Sequence, residues 1–201
     1  MKHFLLLLLF ISGISSAIAQ FEKGDLFVGG NLGLSLTTGE SSNPSRSTQL
    51  GINLSPNFGY FINDLSVIGI NPQVNFYWSQ NTNSNNEKYS TNSISGGIGF
   101  FYRRYFPVVD SFYFFLEPKV SYNSSFEEEY NPKSFGLSLS PGASYRISQK
   151  WMVEVTLGGL VYRRSYNSLG TNQEFDDTRF AFDLITANSI GIVYFINQKE
   201  Q

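Results

Sequence analysis

No cysteine occurs among the 201 residues, histidine occurs once, and no apolar run approaches the length of a membrane-spanning helix. Each absence closes off a class of protein. Without cysteine there is no disulfide, no thiolate metal site and no lipid-modified anchor. The one histidine, His3, lies in an N-terminal segment expected to be removed. The remaining chain then lacks the parts for a Ser-His-Asp triad, a Cys-His pair or an imidazole metal site. Charge is also scarce: 15% of residues are charged, against about 25% in ordinary soluble domains.

What is present begins with a leader. Lys2 and His3 precede the apolar run Phe4 to Ile11, then small residues, then Ala17-Ile18-Ala19. Basic, apolar and small-residue zones in that order describe a secretory signal peptide with cleavage after Ala19. A membrane helix is the rival reading, and it needs about 20 apolar residues. The expected organisation is a signal peptide over residues 1–19 and one domain over residues 20–201. Losing Lys2 leaves thirteen basic and sixteen acidic residues, a charge of about −3, so a basic nucleic-acid surface is not expected.

Aromatic residues make up 16% of the chain, and glycine, serine and asparagine are abundant. Apolar residues are diluted evenly along it, in period-two alternation from Asp25 to Ile196, which predicts strands. Eight segments carry the pattern. Leu26, Val28, Leu32, Leu34 and Leu36 oppose Gly29, Asn31, Gly33 and Ser35. Similar alternations follow around Leu50–Tyr60, Ile68–Trp78, Ile94–Arg103, Phe114–Asn123, Phe135–Arg146, Val153–Val161 and Phe182–Ile196. In the seventh, Val153, Val155, Leu157 and Val161 are placed on one face, against Glu154, Thr156 and Gly158.

Connections alternate in length. Asn63-Asp64, Pro107–Ser111 and Ser148–Lys150 are short, whereas Thr38–Ser47, Ser79–Asn92, Ser124–Lys133 and Arg164–Thr178 are long and polar. Short turns at one end, long loops at the other and an even strand number predict an all-β, eight-stranded, antiparallel up-and-down transmembrane barrel. Aromatics near strand ends suggest two girdles. Tyr60, Phe61, Tyr105, Phe106, Phe112, Tyr145, Trp151 and Tyr194 are assigned to the short-turn end. Trp78, Tyr122, Phe135, Tyr162 and Phe180 are assigned to the other. Ordinary aromatic enrichment in strands is the alternative.

Alternation alone does not say which face is inside. A lipocalin-like soluble barrel would turn its apolar face inward and need a charged exterior. Here the polar face is mostly Gly, Ser and Asn, which suits a crowded lumen, so the apolar face is expected to meet lipid. The charges on the polar face are Arg103, Glu117, Lys119, Arg146, Glu154 and Asp183. Folding about Asp110 sets Arg103 opposite Glu117, and folding about Lys150 sets Arg146 opposite Glu154. The expectation is a lumenal ion-pair network that blocks the passage; separately hydrated charges are the alternative.

Several motifs resemble a known family. Ser55-Pro56-Asn57-Phe58-Gly59-Tyr60-Phe61, followed by Asn63-Asp64, resembles the second strand and turn of small outer-membrane β-barrel domains, similar to the OmpA and OmpX barrels. Phe100-Phe101-Tyr102-Arg103-Arg104-Tyr105-Phe106 resembles the fourth strand, and Ser140-Pro141-Gly142-Ala143-Ser144-Tyr145 the sixth. Ser189, Gly191, Tyr194 and Ile196 look like the C-terminal signal read by the barrel-assembly machinery, with the tail Asn197–Gln201 as a departure. The resemblance implies fold and outer-membrane location in a Gram-negative-type envelope, and no catalytic residues.

For function, the sequence leaves three classes. A non-enzymatic barrel would serve envelope structure, adhesion or partner binding through its long loops. A narrow porin-like channel would pass solutes. A lipid-modifying enzyme would have to rely on carboxylates, with Glu117 or Glu154 as candidates. Glu127-Glu128-Glu129 and Asp176-Asp177 could bind cations bridging lipopolysaccharide, or be solvated acidic loops, since their spacing is not that of a calcium loop. Asn81–Asn86 reads as a polar loop. No cofactor is expected. The partners expected are outer-membrane lipid, lipopolysaccharide and the assembly machinery.

Overall fold

The computed structural model describes residues 21–40, 46–82, 87–126, 132–169, 173–183 and 187–197. All the regular structure among them is strand: β1 (Leu26–Glu40), β2 (Arg46–Asn63), β3 (Ser66–Thr82), β4 (Lys88–Val109), β5 (Phe112–Ser125), β6 (Lys133–Arg146), β7 (Trp151–Leu157), β8 (Leu160–Leu169), β9 (Gln173–Phe182) and β10 (Ala187–Phe195). Neighbours pair antiparallel from β1 through β6. The sixth strand then pairs with both β7 and β8, while β10 pairs with β7 and with β1. The ring is therefore closed. Its ten segments form eight staves, because β7 with β8 and β9 with β10 are each one interrupted stave.

The first interruption is a one-residue bulge at Gly158-Gly159. Thr156 lies across from Gly142, but Leu160 lies across from Leu139, one residue out of step. Inserting a residue into a ladder turns every following side chain to the other face. Val161 therefore lines the lumen and Leu160 points outward. The sequence expectation for Val161 is corrected by this slip.

Apolar residues of the alternating pattern point outward and are exposed: Leu54, Phe58, Ile68, Ile70, Val74, Ile98, Phe100, Val120 and Leu137 among others. Their neighbours in sequence point inward, where Gly, Ser and Asn predominate. On β3 the outward stretch runs from Ile68 to Trp78, ten steps of about 3.4 Å rise each. At a tilt of about 40° this gives an apolar band about 25 Å tall, the height a bilayer core requires of a barrel. Trp78 lies at one margin of the band, while Trp151, its ring centroid 4.8 Å from that of Tyr194 and tilted against it, lies at the other.

The connections differ from expectation at the long-loop end. Strands continue into most of the residues assigned to loops: β1 reaches Glu40, β3 reaches Thr82 and β8 reaches Leu169, with β2, β4 and β9 starting at Arg46, Lys88 and Gln173. Asn81 is thus a strand residue, paired with Ser47 and Tyr89. Polar composition suggested loops, but extended strands outside a bilayer are polar on both faces and look the same in sequence. At the opposite end the turns are tight. Asp110-Ser111 alone joins β4 to β5, with Ser111 in the left-handed region at φ 70°.

Candidate functional site: a charged floor between an aromatic plug and a polar cup

The lumen is layered. Nearest the short turns is an aromatic plug of Phe21, Phe27, Phe61, Tyr105, Tyr113, Phe115 and Phe195, all buried. Phe21 enters from the segment preceding β1, and its ring lies 4.7–5.6 Å from those of Phe61, Tyr105, Tyr113 and Phe195. Hydrogen bonds from Gly24 N–H to the Phe61 carbonyl, and from Phe61 N–H to the Asp25 carbonyl, hold that segment in place. Phe61 and Tyr105 therefore belong to the interior and not to the girdle. They share the face of Gly59 and Arg103, a parity visible in the sequence once both faces near a short turn are seen to be apolar.

The plug fits because glycine faces it. Phe27 lies across from Gly59 and Phe115 across from Gly142, and Phe101, a further buried ring outside the plug, lies across from Gly69. A methyl group added at Gly142 would sit 2.1 Å from the Phe115 ring, and one at Gly59 would sit 2.1 Å from Phe27. Each ring occupies the space its partner's missing side chain leaves, a pairing that also pins strand register.

Above the plug lies the charged floor, centred on Arg103. Its Nε donates to Glu117 Oε2 at 2.8 Å, and Nη2 lies 2.6 Å from the same oxygen. Nη1 donates to Glu154 Oε2 at 2.5 Å and to the Tyr105 hydroxyl at 2.9 Å. The guanidinium also stacks over the Phe115 ring at 4.3 Å. One cation thus ties β4 to β5 and, across the lumen, to β7. In so narrow a space a buried charge needs paired and hydrogen-bonded partners, and Arg103 has both.

The six charged lumenal residues do not form one network. Arg103 and Glu117 meet, as their symmetry about Asp110 implies. Arg146 and Glu154 do not. The β6–β7 ladder puts Ser144 across from Glu154 and Arg146 across from Met152, because the turn centres on Gln149 and not on Lys150. Arg146 instead donates to the Ser148 and Gln149 carbonyls at 3.2 and 2.7 Å and stacks on Phe21 and Phe195. Asp183 sits at the β9–β10 junction, where its N–H donates to the Gly159 carbonyl at 3.2 Å. Lys119 faces the lumen above Glu117 without joining Arg103.

Beyond the floor the lumen opens into a polar cup of about 430 Å³. Asn71 is its best-held residue, donating to Ser55 Oγ, the Pro56 carbonyl and Asn57 Oδ1 at 2.7–2.9 Å, while Gln73 donates to Asn71 Oδ1 at 2.6 Å. Of the residues proposed for barrel assembly, Gly191 is inward beside Asn31, Tyr194 is outward on Trp151, and Ile196 is outward with its N–H donating to the Leu26 carbonyl. Ser189 lines the cup.

Asp176 accepts from Arg164 Nη2 at 2.5 Å on the outward face. Asp177 lies across from Ser165 on the other face. Glu127-Glu128-Glu129, residues 83–86 and the leader over residues 1–19 lie outside the described residues. Among the described residues no group of three His, Cys, Asp or Glu is placed to hold a metal ion.

A search of curated proteins found none similar to the chain. The family profile described as outer membrane protein beta-barrel domain matches residues 4–191. With a sealed antiparallel ring of eight staves, apolar outside and small-residue polar within, the chain belongs to the outer-membrane β-barrel domain family.

Proposed function

We propose that the protein is exported by its N-terminal signal peptide, is assembled in the outer membrane through its C-terminal strand, and acts there as a non-enzymatic barrel without a continuous pore. Its work is done at the hairpins projecting beyond the bilayer, as envelope structure, adhesion or binding of a partner. The observation that carries this reading is the layering of the lumen. Arg103, Glu117 and Glu154 cross the barrel from three strands, and a stack of seven buried aromatic side chains lies beneath them. An eight-stranded interior is just wide enough for side chains to fill. Orientation follows from the family: short turns face the periplasm and the longer connections face outward.

The projecting hairpins support the surface role. The β8–β9 hairpin carries its own ladder from Leu160 with Phe182 to Leu169 with Gln173, and the Arg164–Asp176 pair braces it. Rigid strands present side chains at fixed spacing, as a binding surface requires. A porin-like channel and a carboxylate-dependent lipid enzyme are the competing readings. Against the enzyme stands the engagement of Glu117 and Glu154 by Arg103, which leaves neither carboxylate poised as a base. The purified protein in a planar bilayer should show no discrete conductance steps; stepwise openings would overturn the sealed-lumen reading.

A further inference from the structure

We infer that the polar cup is a saccharide site: a neutral sugar enters from the outward end, lays a ring against Tyr77 and hydrogen-bonds to Asn53, Asn57 and Gln73. The site deepens the surface role proposed above and rests on its orientation. It needs no conduction, because the charged floor lies below the cup. All four residues stand on β2 and β3, in the middle of the paired wall.

The amides come first. Along β3 the lumenal face carries Asn71, Gln73, Asn75 and Tyr77 in succession, and along β2 it carries Asn57, Ser55, Asn53 and Gly51 beside them. Asn71, 2% exposed, is fully engaged with its neighbours. The amides around it hold one another and keep one side free. Asn57 accepts from Asn71 at 2.7 Å and keeps both its amide hydrogens. Gln73 donates to Asn71 at 2.6 Å and keeps its carbonyl oxygen. Asn53 donates to Asn75, which donates in turn to Ser95 Oγ at 3.3 Å, and the Asn53 carbonyl oxygen stays free. Among the described residues none of these three remaining groups has a partner, and all three side chains line the cup.

Donors and acceptors side by side on rigid strands select a ligand that is both. An anion offers only acceptors and an ammonium group only donors, whereas each hydroxyl of a sugar is donor and acceptor together. The charges agree. Arg103 and Lys119 stand against Glu117 and Glu154 at the base of the cup, two of each sign. Arg163, the other charged residue of the lining, is exposed at the mouth. The interior therefore favours a neutral ligand.

Tyr77 supplies the rest. It stands on the lumenal face two residues beyond Asn75, about 7 Å along the strand. Across from it are Gly51 on β2 and Ser93 on β4, neither large enough to cover its ring. It is 40% exposed, and among the described residues it makes no ring contact or hydrogen bond. A sugar has an apolar C–H face and a hydroxylated edge, and Tyr77 with the amides below it offers a counterpart to each. The cup's 430 Å³ falls within the range of about 300–1,000 Å³ usual for small-ligand pockets. An alkyl chain would leave the amides unmatched, and water alone would leave the tyrosine ring wetted.

The test uses the mature protein in bilayer discs of zwitterionic lipid, free of sugar-based detergent, with maltose as the probe and saturation-transfer difference NMR as the readout. Maltose should receive saturation from the protein, and the signal should saturate with concentration. Maltoheptaose should displace it at lower concentration if the site takes the end of a polysaccharide, and at equal concentration if it takes a free sugar. Cyclohexanol and inorganic phosphate should not displace it. Tyr77→Ala should weaken binding about tenfold, while Tyr77→Phe, which keeps the ring, should leave it nearly unchanged. Asn57→Ala with Gln73→Ala should also weaken it about tenfold or more. Heat-modifiable gel mobility reports that each variant still folds. No saturable transfer to either sugar, displacement by cyclohexanol or phosphate, or undiminished binding by Tyr77→Ala would overturn the site. Binding is read without conduction, so a null result removes the saccharide site and leaves the sealed lumen standing.

Discussion

Arg103 is the residue on which the interior turns, and its partners make its replacement informative. Arg103→Met leaves Glu117 and Glu154 buried without their cation, and breaking a buried ion pair from one side costs about 3–5 kcal/mol. Adding Glu117→Gln and Glu154→Gln removes the stranded charges, so the triple variant should recover most of that loss in urea unfolding from lipid. If the triple variant were no more stable than the single one, the pairing would not be what Arg103 supplies. The glycine–aromatic pairs offer a second check at this scale. Gly142→Ala places a methyl group 2.1 Å from the Phe115 ring, and overpacking of this kind costs about 1–3 kcal/mol. Phe115→Leu in the same chain should relieve part of it, giving a non-additive cycle; strictly additive losses would contradict contact between the two sites.

Single strands were the most legible level in the sequence, and their interruptions the least. Alternation of Leu, Ile and Val with Gly, Ser and Asn gives the face of nearly every strand, because a side chain's direction follows from position alone. Val161 escapes this logic, since a bulge at Gly158-Gly159 adds a residue without altering local composition. Arg146 escapes it for a related reason: a turn centred one residue earlier moves every partner on β7 by two. The plug was hidden differently. Phe61 and Tyr105 are aromatic residues near turns and so look like girdle residues, and only the neighbouring Tyr60 and Phe106, which take the outward positions, give them away. Strand orientation has its own test. Val74→Arg, at mid-band and outward, should destabilise the barrel by about 2–4 kcal/mol in lipid, whereas Thr82→Arg, at the far end of the same strand, should be near neutral. Equal effects would mean that Val74 does not meet hydrocarbon.

The whole molecule is a cylinder with three lumenal layers, and the sequence reached its architecture more readily than its interior. Strand number, closure and outward apolarity follow from patterns repeated eight times, so single irregularities average out. The site depends on register between strands distant in sequence. Glu154 reaches Arg103 across the barrel, and no local pattern announces that meeting. All of these readings depend on which face of the alternation meets lipid. The most direct measurement is a nitroxide scan of β3 in a bilayer, comparing collision with oxygen and with a water-soluble nickel chelate. Labels at Ile68, Ile70, Val74 and Phe76 should favour oxygen, and labels at Gly69, Asn71, Gln73 and Asn75 should be shielded from it, in strict period-two alternation. Inverted alternation, or none, would contradict the account.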